Sequence, residues 1–246
     1  DEKKEEKSKV KYDSITLEVF NSAGAKIRTL KQKAPEDNGL NRMTWNLDEK
    51  GVRNPTRNKP RTNASEPSGT TVLSGTYKLR LSFGDQKDST MINVKSDPRY
   101  TNDAANLQAR YNKTKELEQL KELVARATTR LRESKEIATD FETRMKEAKR
   151  DDLKEAMDKT KAIKDSIDKV FDFILGAEDK RQGITSTEFP APVSYINTAM
   201  FTINTSRDPL SDRDNVVIRH AEEKTKIILD KVNAFYQNQW PTYRVM

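Results

Sequence analysis

Between residues 14 and 97 apolar positions recur every second residue, the period of a strand with one face buried. SITLEVF places Ile15, Leu17 and Val19 on one side. The NSAG that follows ends in Gly24, where a left-handed turn is cheap, and AKIRTL returns with Ile27 and Leu30 as the second arm of a hairpin. GLNRMTWNL, with Leu40, Met43, Trp45 and Leu47, is expected as a third strand. GTYKLRLSF (Tyr77, Leu79, Leu81, Phe83) and STMINVK (Met91 or Ile92, Val94) close the series around a GDQKD turn. Short strands separated by turn signals predict an antiparallel β-sandwich. Between strands three and four, residues 51–70 carry Pro55, Pro60 and Pro67. Five basic residues fall between Lys50 and Arg61, and the segment is expected as a long surface loop, partly disordered.

After Pro98 the period changes. Leu117, Leu120, Val124, Ala127, Leu131, Ser134, Ala138, Phe141, Met145 and Ala148 follow at spacings of three and four, and residues 99–175 hold no proline or glycine. This predicts a helix over about 102–149, capped by Thr101, Asn102 or Asp103. A second seam, Leu153, Ala156, Thr160, Ile163, Ile167, Val170 and Ile174, predicts a helix over 151–175 ended by Gly176 and Gly183, with a chain reversal near 150. ITSTEFPAP is a loop. Val193, Ile196, Met200 and Ile203 mark a helix over 192–205. Val217, Ala221, Ile228, Val232 and Phe235 mark another over 211–239, capped by Asp212 or Ser211 and followed by Trp240 and Pro241. The expected fold is therefore α+β and multidomain: a charged linker over 1–13, an Ig-like antiparallel β-sandwich over 14–98, and an antiparallel α-helical bundle with long helices over 99–246.

Composition sharpens this. Charged residues make up 35% of the 246 and hydrophobic ones 33%, a thin core that suits long amphipathic helices better than a compact α/β enzyme. The net charge of +7 is spread: residues 1–97 hold 19 Lys and Arg against 14 Asp and Glu, and the helices alternate signs, a solvated face rather than a nucleic-acid footprint. No apolar run reaches the ~20 residues of a membrane span. The absence of cysteine excludes disulfides, thiolate metal sites and a cysteine nucleophile.

Candidate chemistry is sparse. His220, the one histidine, lies beside the last apolar seam without a nucleophile-elbow serine. Asp208, Asp212 and Asp214 cluster, but lack the calcium-loop glycine and terminal glutamate, so helix capping is the better account. Glu116, Glu118, Lys121 and Glu122 are expected as surface pairs at i,i+3 and i,i+4. Asn63, Asn112 and Asn204 begin glycosylation triplets, a frequent chance pattern. Trp45 and Tyr77, at alternating strand positions, are expected to face the core rather than a sugar. Phosphate-cradling motifs are absent. No catalytic, cofactor-binding or metal residue is assigned, and no cofactor is expected.

ITLEVFNSAGAKIRTL, GLNRMTWNL and VLSGTYKLRLSFGDQKDSTMINVKSDPR together resemble the Ig-like domain at the C-terminal end of bacterial exported BNR-repeat proteins. Those proteins carry sortilin-type β-propellers and are often labelled glycosyl hydrolases, and the flagellar hook-capping protein has a similar Ig-like module. Ser74 stands where the family usually shows proline. The resemblance covers about residues 14–100. It implies a non-catalytic C-terminal interaction or scaffolding region, exported, whose partner is an upstream β-propeller of the same polypeptide and, beyond it, another protein or a glycan. A carbohydrate-binding accessory module is the alternative. The resemblance carries no catalytic residue over, so no enzyme activity is expected.

Overall fold

The computed structural model describes residues 14–35, 39–62, 64–99, 103–177 and 190–245. The 1–13 linker, Thr101, Asn102, Gly183, most of the ITSTEFPAP loop and Asn63 lie outside them. The chain is mixed α+β, with 54% of the described residues helical. It divides into two compact units: residues 1–51 with 63–101, and residues 52–62 with 102–246.

The first unit is built on a four-stranded antiparallel sheet, with β1 (Ser14–Phe20), β2 (Lys26–Lys33), β5 (Gly75–Phe83) and β6 (Gln86–Val94) in the order β2-β1-β5-β6. The Asn21–Gly24 turn of the β1–β2 hairpin forms as expected, with Gly24 at φ 76°. Register sets Leu30, Leu17 and Leu81 side by side. The third expected strand does not form over 39–47. Leu40 is fully exposed, Leu47 adopts a left-handed backbone (φ 56°), and the Trp45 indole N–H donates to the carbonyl of Asp48 at 2.8 Å. Instead β3 (Asp48–Lys50) pairs with β4 (Ser68–Thr71), a short ribbon whose second arm lies in the Pro-rich stretch. The sequence hides this pair because two glycines make it: a Cβ on Gly51 would stand 2.2 Å from the Ser68 carbonyl oxygen, and one on Gly69 would stand 2.6 Å from the Gly51 nitrogen. Val19, Val72 and Tyr77 form the buried core, flanked by Ile27, Trp45, Leu79, Ile92 and Val94.

The second unit centres on α1 (Ala104–Ala148), about 67 Å long at 1.5 Å per residue. Asp103 caps it, accepting from the Ala105 N–H at 2.8 Å. Lys149 turns left-handed (φ 48°) and a 3₁₀ turn (Asp151–Leu153) reverses the chain into α2 (Lys154–Leu175), as the seam implied. Lys164 bridges to Glu142 and Lys135 to Asp168, so α2 runs antiparallel to α1. The next helix, α3 (Pro192–Thr205), continues in the same direction: Asn204 accepts from Thr114, and Ala191, which leads into α3, approaches Gly176 at the end of α2. End to end, α2 and α3 cover α1. The fourth helix, α4 (Asp212–Asn238), runs parallel to α1, with Asp214 beside Arg110 and Tyr236 beside Ser134. A fifth helix, α5 (Trp240–Arg244), was not expected; it starts where Pro241 fits a first turn, and Tyr243 reaches Thr160 of α2. One core runs through the unit, including Leu117, Val124, Leu131, Ile167, Ile196, Ile228 and Phe235. Phe141, expected on the α1 seam, is instead 43% exposed.

The basic loop keeps its irregular backbone, but Val52–Thr62 belongs to the helical unit. Arg57 donates to Asp172 at 2.5 Å and to the Gly176 carbonyl at 2.7 Å, closing the C-terminus of α2 with a cation where unpaired carbonyls gather. Arg132 of α1 donates to the carbonyls of Thr56 and Asn58.

Candidate functional site

A cluster of buried polar groups lies where α1 begins and α3 turns into α4. Arg110 falls one heptad before Leu117, so the core spacing carries its side chain inward, where it is 5% exposed. Its guanidinium donates to the carbonyl of Ile203 at 3.1 Å, to those of Asp208 and Pro209, and to Asp214 Oδ2 at 3.0 Å. Asp214 is the N3 residue of a capping box: it accepts from the Ser211 N–H at 3.0 Å, and Ser211 Oγ accepts from the Asp214 N–H at 3.2 Å. Burial raises the Asp214 pKa, but the Ser211 hydrogen bonds and Arg110 outweigh it and hold the carboxyl below its ordinary value. The three carbonyls and Asp214 Oδ2 are all held by donors of the protein itself, so the cluster fixes a turn.

A second polar region is an open cleft of about 510 Å³ between the 52–62 segment and the α1–α2 face, lined by Arg57, Lys59, Arg132, Lys135, Asp140 and Asp168, with Phe171 beside them. Several of its charges have partners: Arg57 pairs with Asp172 and Lys135 with Asp168, while Arg132 donates to main-chain carbonyls. The hydroxyls of Thr139 and Thr143 donate to carbonyls of their own helix at 2.8 and 3.0 Å, so neither is aligned with a base as a nucleophile would be. Such a cleft can hold a polar segment by charge and shape.

His220 is exposed on α4, its ring 6.3 Å from that of Tyr195, and the neighbouring Ser194 hydroxyl donates to the Ala191 carbonyl, so no nucleophile–base pair arises there. Asp208, Asp212 and Asp214 do not converge, and among the described residues no group of three His, Cys, Asp or Glu could hold a metal ion. Trp45 and Tyr77 pack edge to face with centroids 5.6 Å apart, Tyr77 buried and its hydroxyl on the Leu73 carbonyl at 2.7 Å. Trp240 packs against Phe235, Tyr236 and Tyr243. Asn112 and Asn204 both sit within helices. The expected surface pairs are rearranged. Glu116 pairs with Lys113, Glu122 with Arg126, and Glu118 with Lys115, but Glu118 is 4% exposed, not on the surface. Partial burial of Lys121 lowers its pKa, against the nearby charge of Glu118.

Sequence reasoning missed both buried arginines, Arg28 and Arg110. For Arg110 the signal was present: Arg110 and Thr114 extend the Leu117 seam toward the N-terminus at the same spacing. For Arg28 it was not, because the partner strand is set by glycine contacts rather than by an apolar pattern. No helix among the described residues is long and apolar enough to cross a membrane. Comparison with protein-family models, with curated proteins and with solved structures gives no match, and the functional argument rests on the residues themselves.

Proposed function

We propose that this chain is a non-catalytic interaction and scaffolding region, an Ig-like β-sandwich followed by an antiparallel helical bundle, within a larger exported β-propeller protein. The observation that carries the scaffolding reading is the disposition of polar groups in the helical unit. Its buried pair Arg110 and Asp214 is consumed in holding the α3–α4 turn, and in its open cleft Lys135 pairs with Asp168 and Arg57 with Asp172. Around them one continuous core backs α1 from Leu117 to Ala138 and leaves the helix with a long exposed face. The sandwich reading draws support from the core that Val19 and Tyr77 of the sheet share with Val72, next to the β3–β4 ribbon. Export, and the upstream propeller as partner, rest on the resemblance of residues 14–100.

The test is an immunoblot of fractionated source cells with an antibody raised to this chain. A band far above 28.2 kDa in the envelope or secreted fraction is expected. A band near 28.2 kDa in the cytosol overturns the reading.

A further inference from the structure

The side of α1 that faces α4 is left open past the end of α4. Tyr236, near the end of α4, bonds Ser134 at 2.9 Å. After Asn238 the chain turns toward α2, where Tyr243 meets Thr160. Beyond that level α1 continues for more than three turns, exposing Ile137 (59%) and Phe141 (43%) one turn apart on the same side. These two apolar residues sit inside a charged stripe at helical spacing: Arg130, Glu133, Ile137, Phe141, Arg144, Glu147, all six exposed.

The order of that stripe is self-complementary when read backwards. A second α1 laid antiparallel about a two-fold axis level with residue 139 sets Ile137 against Phe141 of the second copy. It sets Glu133 against Arg144, and Arg130 against Glu147, and the symmetry repeats each pair. We infer that this face of α1 docks a second copy of the same chain, in an antiparallel helix pair spanning residues 130–147. The contact is about 26 Å long at 1.5 Å per residue and rests on one helix from each copy, so a concentration-dependent dimer is expected. Arg144 now pairs with Asp140 of its own helix at 2.9 Å, with both side chains mostly exposed, and Arg130 stacks on Tyr236 at 3.8 Å. Glu133 of the second copy competes with Asp140 for a cation already held near the stripe. The inference stands on the stripe alone and does not require an exported parent protein.

Sedimentation velocity over a roughly hundredfold concentration range tests it. The mass is expected to rise from 28.2 kDa toward twice that value. E133R alone and R144E alone each place like charges across the axis twice and are expected to weaken dimerisation about tenfold or more. An equimolar mixture of the two variants restores it, since both cross pairs are then attractive. Far-UV circular dichroism checks that each variant keeps its helices. The absence of native cysteine allows a second readout: a mixture of I137C and F141C chains is expected to cross-link as a mixed dimer in preference to either chain with itself. A monomer at every concentration overturns the inference and leaves the face to a different partner. A dimer indifferent to the charge reversals, or one the mixture does not restore, also overturns it.

Discussion

Each of the two units buries one arginine against one aspartate, and the two pairs are not equivalent. In the helical unit Arg110 and Asp214 stand 3.0 Å apart with side chains 6% and 7% exposed, and three main-chain carbonyls accept from Nε, Nη1 and Nη2, so that each guanidinium nitrogen has a partner. In the sheet unit Arg28 and Asp48 stand 3.4 Å apart at 6% and 8% exposure. There Arg28 reaches the Pro67 carbonyl and Ser68 donates to Asp48 at 2.6 Å, but the buried Nε of Arg28 has no partner. A buried ion pair repays its desolvation only when every remaining donor and acceptor is also met. The helical unit meets that condition because three carbonyls from the α3–α4 turn converge on one guanidinium. The sheet unit has a three-residue ribbon strand with too few groups to do so. Completeness of the hydrogen bonding around the charge, more than the presence of a buried pair, is what separates a rigid joint from a weak one.

The comparison can be broken in order of effect. Arg110→Met strands Asp214 and three carbonyls, and is expected to cost about 4 kcal/mol in urea unfolding. Trp240, packed in the helical unit, reports that loss in a Trp45→Phe background. Arg28→Met removes a less satisfied cation and is expected to cost about 2 kcal/mol, read by Trp45 in a Trp240→Phe background. Equal costs for the two would mean that the unpaired Nε carries no penalty. The smallest effect sharpens the contrast with surface charge. Hydrogen bonds from Lys146 and then Lys164 hold the Glu142 pKa down at about 2, against an ordinary 4.5. The folded pKa lies below the unfolded one, so this stabilisation is complete above about pH 4.5 and is lost as pH falls toward 2. Glu142→Gln is expected to lower stability by about 1 kcal/mol at neutral pH and by nothing near pH 2, followed as the difference in melting temperature across that range.

How far the sequence reached differs between the same two regions. In the helical unit the 3.6-residue period placed the four long helices within about three residues. It also placed a reversal near residue 150, where Lys149 turns left-handed, since one repeating apolar face suffices to say where a helix buries itself. Phe141 escaped because the seam shows which side of α1 is apolar, not where α4 stops covering it. In the sheet unit β1, β2, β5 and β6 were legible from alternation. The ribbon was not: Trp45 lies outside any strand, and β4 hides in SGTT, a stretch with no alternation to read.

The residues along the chain carried the period of the four longer helices and of β1, β2, β5 and β6, the hairpin turn at Gly24, a cap at Asp212 or Ser211 and the lack of cysteine chemistry. Each is local, written in residues a few positions apart. Only the tertiary structure decided that Val52–Thr62 docks on helices more than seventy residues away, that Arg110 gathers the α3–α4 turn, and that Gly51 and Gly69 must lack side chains. Those facts depend on which backbones approach which, and close approach leaves no period in a sequence: it is fixed by contacts between residues far apart along the chain.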